Sequence, residues 1–419
     1  MAPEAVNVLF LTHYYPPEVG APQARISELA VRLRALGHGV TVLTGMPHYP
    51  NGVLPPRYRW RLLVREEMAG VPVVRTWVYP ARNAGFAGRL LDHAIFTVSS
   101  LGGLPVLGRC DVVVTECPPL FTALAGLAIG RLKGARHVFH VADLWPESAV
   151  ALGALRSRAL IAGATALSRF IYQRSDLVTV SARGQKDALV GRGVPADKIE
   201  HLSNGVDVTR FRPGTGNPAF RRLHGLEGKF VVLYHGTHGA AHGLDSVLDA
   251  ARALAGRREG DGIAFVLVGD GMEKRRLAER RAREGIANVV MLDGVPPAEI
   301  PALINECDLG LVHLRRLPVF EAVLPSKMFE FMACGRPLVM AVGGEAGEIV
   351  RRTECGVCVP AESPTDLAAA VLDLLNRPEA RRRMGENGRR SVEHEFSRDS
   401  LARQWEAALE RLVGSRRAA

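Results

Sequence analysis

Phe230-Val-Val-Leu-Tyr-His-Gly-Thr-His-Gly-Ala-Ala-His-Gly243 is an apolar run of strand length that breaks into a glycine-rich turn. Residues 244–254 follow with helical periodicity, and residues 264–268 form a second apolar run. Strand, turn, helix and strand in this order read as a β-α-β unit, whose parallel strands are covered on both faces and so lack polar alternation. The chain opens with the same grammar. Residues 6–11 are apolar, residues 12–20 are rich in turn formers, an amphipathic stretch runs from Pro22 to about Leu36, and residues 40–43 are apolar again.

Two such starts imply two Rossmann-like halves, and 419 residues exceed what one hydrophobic core usually supports. Further strands are expected at residues 111–115, 135–140 and 177–180 in the first half. Those of the second half are expected at 289–292, 309–312, 337–342 and 355–360. The turn Ser203-Asn-Gly-Val-Asp207, followed by Phe211-Arg-Pro213, lacks periodicity and marks a linker. The expected division is 1–205, 206–385 and a helical segment 386–419 returning toward the first domain. Strands alternating with helices predict right-handed crossovers and mostly parallel sheets, with ligands at the strands' carboxyl ends. Two such sheets facing each other would converge on one cleft.

The net charge is +10, and the basic excess falls in the first half, where Arg57, Arg59, Arg61, Arg65, Arg75, Arg82 and Arg89 crowd one region. A solvated basic face and a surface for an anionic membrane or a phosphate-bearing acceptor both fit that run. No nucleic-acid motif accompanies the charge, so nucleic acid is not an expected partner. No apolar run reaches the roughly 18–20 residues of a membrane span, and residues 86–108 read either as an interfacial segment or as a core helix. The expected location is cytoplasmic, with peripheral contact at the inner face of the membrane. Six scattered cysteines, with Cys355 and Cys358 the only close pair, read as packing thiols, because a structural zinc site needs a second pair.

The segment carrying most chemistry is Leu324-Pro-Ser-Lys-Met-Phe-Glu-Phe-Met-Ala-Cys-Gly-Arg-Pro337. Ser326 suits a helix start, Gly335 a helix end, and Pro337 forbids continuation. Lys327 then lies in the first turn, where the helix dipole disfavours a cation by a few tenths of a kcal/mol, and an anion at the tip would compensate it. Glu330 falls one turn further along the same face, within reach of ribose hydroxyls if a diphosphate sits at the tip. Gly236 and its loop, and Gly20 just before Pro22, are the turns where backbone could approach phosphates. Asp143, following a strand that contains His140, and His13 and Glu116 near other strand ends are further candidates.

With these residues assembled, the chain resembles a retaining family-4 glycosyltransferase of the GT-B fold, in the bacterial polysaccharide subgroup of N-acetyl-fucosamine transferase-like proteins. The resemblance rests on Thr12-His-Tyr-Tyr-Pro-Pro-Glu18, Gly37-His-Gly-Val-Thr-Val-Leu-Thr44, Pro47-His-Tyr-Pro-Asn-Gly52, Asp143-Leu-Trp-Pro-Glu-Ser148, Asn204-Gly-Val-Asp207, Val268-Gly-Asp-Gly271 and Pro325-Ser-Lys327 with Glu330. It implies that Gly20, Gly236, Thr237, His242, Gly269, Ser326, Lys327 and Glu330 hold the donor, with Lys327 at its phosphates and Glu330 on its ribose. Asp143 and His140 take the catalytic places, and His13, Glu116 and Glu321 those of sugar or acceptor contacts. Three positions depart from the family pattern. Thr237 and His242 stand where the family commonly has Arg and Lys, Ala322 occupies the first carboxylate's place with Glu321 one residue early, and Ala142 replaces a common His.

The implied reaction moves a hexose or amino sugar from a nucleotide diphosphate sugar, UDP-linked by expectation, to an acceptor hydroxyl with retention. No cofactor and no metal ligand set is expected, since helix dipoles and cations can stabilise the leaving diphosphate. A saccharide or polyprenyl-diphosphate-linked acceptor is expected. Transfer to a soluble small molecule is the alternative within the class, and a sugar-nucleotide epimerase or a non-catalytic binding subunit outside it.

Overall fold

The computed structural model describes residues 5–49, 52–80 and 86–417. Arg82, and Pro50 and Asn51 of the 47–52 motif, lie outside them. The chain divides into two compact units, residues 1–203 with 398–419, and residues 204–397. Helix Pro378–His394 therefore belongs to the second unit, and the segment joining the first begins at Arg398 rather than at residue 386.

The first unit holds β1 (Asn7–Thr12), β2 (Gly39–Gly45), β3 (Leu63–Met68), β4 (Val71–Thr76), β5 (Val112–Cys117), β6 (Arg136–Val141), β7 (Leu177–Val180) and β8 (Ile199–His201). Their order is β3-β4-β2-β1-β5-β6-β7-β8, parallel except for the β3–β4 hairpin at one edge. The strand direction of travel reverses between β1 and β5, so the crevice for a ligand opens at their carboxyl ends. Helix Ala21–Ala35 and the C-terminal helix Arg398–Arg417 contribute to one core, where Leu29, Leu33, Trp405 and Leu409 pack with Phe10 and Val42. Helix Phe86–Leu101 contributes to a second core through Phe96, beside Leu11 and Leu43. The segment from residue 86 is thus a core helix on that side, while Leu91 and Val98 remain exposed on it.

The second unit holds β9 (Phe230–His235), β10 (Ile263–Val268), β11 (Val289–Leu292), β12 (Leu309–His313), β13 (Leu338–Ala341) and β14 (Gly356–Cys358). All pairings run parallel in the order β11-β10-β9-β12-β13-β14, with the reversal between β9 and β12. Every residue of β9, β10, β12 and β13 is buried, as their apolar runs require, and His235 and His313 at the ends of β9 and β12 are buried with them. Its core gathers Val232, Tyr234, Phe265, Leu267 and Leu311 with Val247, Leu248 and Leu254 of helix Leu244–Ala255.

The basic run does not form one face. Arg75 is wholly buried, its guanidinium bonded to Glu66, to the Gly45 carbonyl at 3.1 Å and to the Pro16 carbonyl. Its position on β4, a strand that sequence reading passed over, turns it inward; Arg57, Arg59, Arg61, Arg65 and Arg89 stay exposed.

Candidate functional site

In the second unit, three loops gather at the carboxyl ends of β9, β10 and β12. Gly236 and Gly269 adopt φ of +122° and +149°, conformations open to glycine. Gly236 N–H donates to Val268 O at 2.9 Å, and a Cβ on Gly269 would run into the Gly236 carbonyl. The two turns therefore lie backbone against backbone. Thr237 is exposed, and its carbonyl accepts from the buried Tyr234 hydroxyl at 2.7 Å, which pins the turn to the core beneath it.

Helix Ser326–Ala333 brings the side chains. Pro325 holds the N-cap place and Ser326 is the first helical residue, without a capping bond from its side chain. Lys327 reaches the Gly236 turn: a Cβ on Gly236 would lie 3.1 Å from its Nζ, and Nζ sits 4.0 Å from the Tyr234 ring centroid. That Nζ is buried and makes no hydrogen bond among the described residues. Burial lowers its pKa to about 7, with Glu330 opposing. Glu330 lies 3.4 Å from His235 Nε2 at the end of β9, and its side chain is a quarter exposed. Glu321 is exposed on the short helix Pro318–Glu321 and packs against Gly343 rather than joining this group.

Four histidines surround Lys327. Sequence reading named His242 alone, and the fold adds His235, His238 and His313, the last contributed by β12 across the crevice. Burial depresses all four, taking His235 to about 3, His238 to about 4 and His242 to about 2, and the Lys327 charge pushes each further down. His313 Nδ1 lies 2.7 Å from the His242 carbonyl and donates to it, which fixes the His313 tautomer. His238 lies in the same glycine-rich turn as His242 and was passed over there, whereas His313 is brought in by the strand order alone.

The first unit assembles a separate group. Gly20 is the N-cap of helix Ala21–Ala35, and Arg25, one turn in, contacts Glu116 at the end of β5. Glu116 and His140 are register partners on β5 and β6, and Arg25 also acts electrostatically on Asp143 and His140. Burial raises the Asp143 carboxyl and holds His140 well below its ordinary value. Arg25 was the cation missing from the sequence reading. His140 is closed in: Nδ1 lies 2.9 Å from Thr179 Oγ1, and the ring packs 5.5 Å from that of Trp405. Its burial in the core makes it a poor candidate for direct contact with substrate.

His13 is corrected in the same way. Its side chain is fully covered, and Nε2 lies 3.0 Å from Asp92 Oδ2, which His48 Nε2 shares at 2.9 Å. The pair of imidazoles holds the Asp92 carboxyl far down despite burial. His13, Asp92 and His93 also bring ligand atoms within 4.8 Å of one another, as do His38, Glu406 and Glu410. Both groups could hold an ion, and in each the third member joins from a separate element: His13 meets the adjacent Asp92 and His93 of helix Phe86–Leu101, and His38 meets Glu406 and Glu410 of the C-terminal helix.

Comparison with known proteins bears on these geometries. Residues 217–391 match the model described as glycosyl transferases group 1, and residues 20–205 match the glycosyl transferase 4-like domain. The chain is 28% identical over 376 residues to WcaI of Escherichia coli K12, which carries the name of a colanic acid biosynthesis glycosyl transferase; the match spans 87% of this chain and 91% of that protein. It is 26% identical over 439 residues to the MMP alpha-(1->4)-mannosyltransferase of Mycolicibacterium hassiacum, spanning 97% and 98%. Among solved structures, Anabaena HepE in complex with UDP-glucose superposes with a TM-score of 0.72 over 96% of this chain and 99% of that one, at 18% identity.

Proposed function

We propose, of a chain that belongs to the glycosyltransferases through both of its domains and has the GT-B fold, that its second unit holds a nucleotide diphosphate sugar at the Gly236 turn and Lys327. The observation that carries this reading is the buried Nζ of Lys327, without a hydrogen-bond partner among the described residues, over a glycine turn at the sheet's reversal point. A buried cation left so is costly, and a diphosphate both restores its partner and occupies the place where open α/β sheets bind ligands. Gly236, Gly269 and the tip of helix Ser326–Ala333 supply close backbone, and Glu330 takes the ribose. The sugar is a hexose or amino sugar, in line with the N-acetyl-fucosamine transferase-like resemblance, and the nucleotide is uridine, as in the HepE complex.

In the first unit, Arg25, Glu116 and Asp143 are the polar groups at the strand ends, and we assign Asp143 to the reacting sugar or its acceptor. The reaction retains configuration. Because Lys327 and main-chain amides meet the charge of the departing diphosphate, transfer needs no metal. With a panel of UDP- and GDP-sugars and polyprenyl-diphosphate lipid, nucleotide release is expected to continue within about twofold in EDTA. Loss of turnover that magnesium or manganese restores would contradict this.

The acceptor is proposed to be lipid-linked, at the inner face of the membrane. No helix among the described residues is long and apolar enough to cross a membrane, but Trp60 is 100% exposed and Leu62 78%, with Arg59 and Arg61 beside them. An aromatic side chain among cations is the composition of an interfacial anchor for anionic lipid. Trp60→Ser is expected to lower sedimentation with phosphatidylglycerol vesicles by about fivefold, for roughly 1 kcal/mol of partial insertion. Equal binding by variant and parent would favour a soluble acceptor.

A further inference from the structure

We propose that His238 and His242 match the charge of the donor's diphosphate, taking up a proton between them as it seats on the Gly236–Gly243 turn. The inference rests on the reading of the second unit as the donor site and says how that site balances charge. Both ring nitrogens of His238 and Nδ1 of His242 are buried and make no hydrogen bond among the described residues, like Lys327 Nζ beside them. Their rings flank the Tyr234 ring, each with a centroid separation of 5.9 Å. Buried polar atoms are nearly always bonded, so four such nitrogens around one turn mark a missing polyanion.

The surrounding charges explain the coupling. His238 faces Lys274, Lys327 and Asp270, and His242 faces Lys327, His238 and His313. Beyond them, Arg315 is 3.6 Å from Glu362, which also acts on His313, and Glu330 acts on Lys327. Burial and Lys327 therefore keep the imidazoles neutral while no anion is near. A diphosphate reverses the sign of the local field, and an imidazolium presents two donors where the neutral ring presents one. His313 differs in that its Nδ1 is committed to the His242 carbonyl, which leaves only its buried Nε2 without a hydrogen bond among the described residues.

Proton uptake makes binding strengthen as pH falls, by about tenfold per pH unit for each proton taken up. Lys327, lowered to about 7, is mostly charged at pH 6, so uptake there reports the imidazoles. The test is calorimetric titration of UDP and of GDP into the full chain at pH 6, in two buffers of different ionisation enthalpy. Wild type is compared with His238→Gln/His242→Gln, which cancels the nucleotide's own ionisation. Expected is about one proton fewer taken up by the double variant and roughly tenfold weaker binding. His242→Arg, whose guanidinium stays charged, is expected to bind UDP with a flatter pH slope than wild type, and thermal melts report folding of each variant. Equal uptake by wild type and the double variant, with the nucleotide bound, overturns the inference and leaves the donor site standing. No binding of UDP or GDP by wild type overturns both.

Discussion

Lys327→Ala is expected to weaken UDP binding by roughly 10- to 150-fold while changing uridine binding less than about twofold. The first figure is the 1.5–3 kcal/mol of a hydrogen bond to a charged group. The reason for the asymmetry is geometric. Nζ sits above the Tyr234 ring and against the Gly236 turn, where phosphate would lie, whereas the proposed ribose contact belongs to Glu330 one turn further along the helix. A sign follows as well. Burial lowers the lysine to about 7, so above that pH it must regain a proton to meet the phosphate, and UDP affinity falls as pH rises. The alanine variant loses this part of the pH dependence. Equal losses for uridine and UDP, measured by titration, would remove Lys327 from the phosphates.

Glu330→Gln is expected to reduce UDP affinity by about tenfold and to erase most of the preference for UDP over 2′-deoxy-UDP. The carboxylate lies one turn along the helix from Lys327 and 3.4 Å from His235 Nε2 at the end of β9. An ionised acceptor can take both ribose hydroxyls, and glutamine keeps the size while giving up the charge assistance. A glutamate with only a solvent role tolerates the change within about 0.5 kcal/mol. An unchanged discrimination ratio, with melts showing intact folding, would count against the ribose contact.

The two sheets were legible because buried parallel strands must be apolar: residues 177–180 and 289–292 were read at the bounds the structure gives. The β3–β4 hairpin was not, since Leu63–Met68 carries Arg65, Glu66 and Glu67 and looks like surface; its partner β4 buries Arg75 against one of those charges. The donor group shows the same division. Lys327 and Glu330 share one helix, so spacing alone places them together, whereas His242 and His313 meet because β12 lies beside β9. In the first unit, position at a strand end made His13 a candidate, and the family pattern made His140 one. Neighbouring elements decide otherwise: helix Phe86–Leu101 covers the first with Asp92, and the C-terminal helix covers the second with Trp405.

The most direct test is to incubate the protein with UDP- and GDP-sugars and a polyprenyl-diphosphate saccharide, and to weigh the lipid by mass spectrometry. The expected result is a lipid heavier by one hexose or amino sugar, with one nucleoside diphosphate released for each, lost in Lys327→Ala. A donor sugar interconverted without any acceptor, or a donor left unchanged with every acceptor, soluble or lipid-linked, would contradict it.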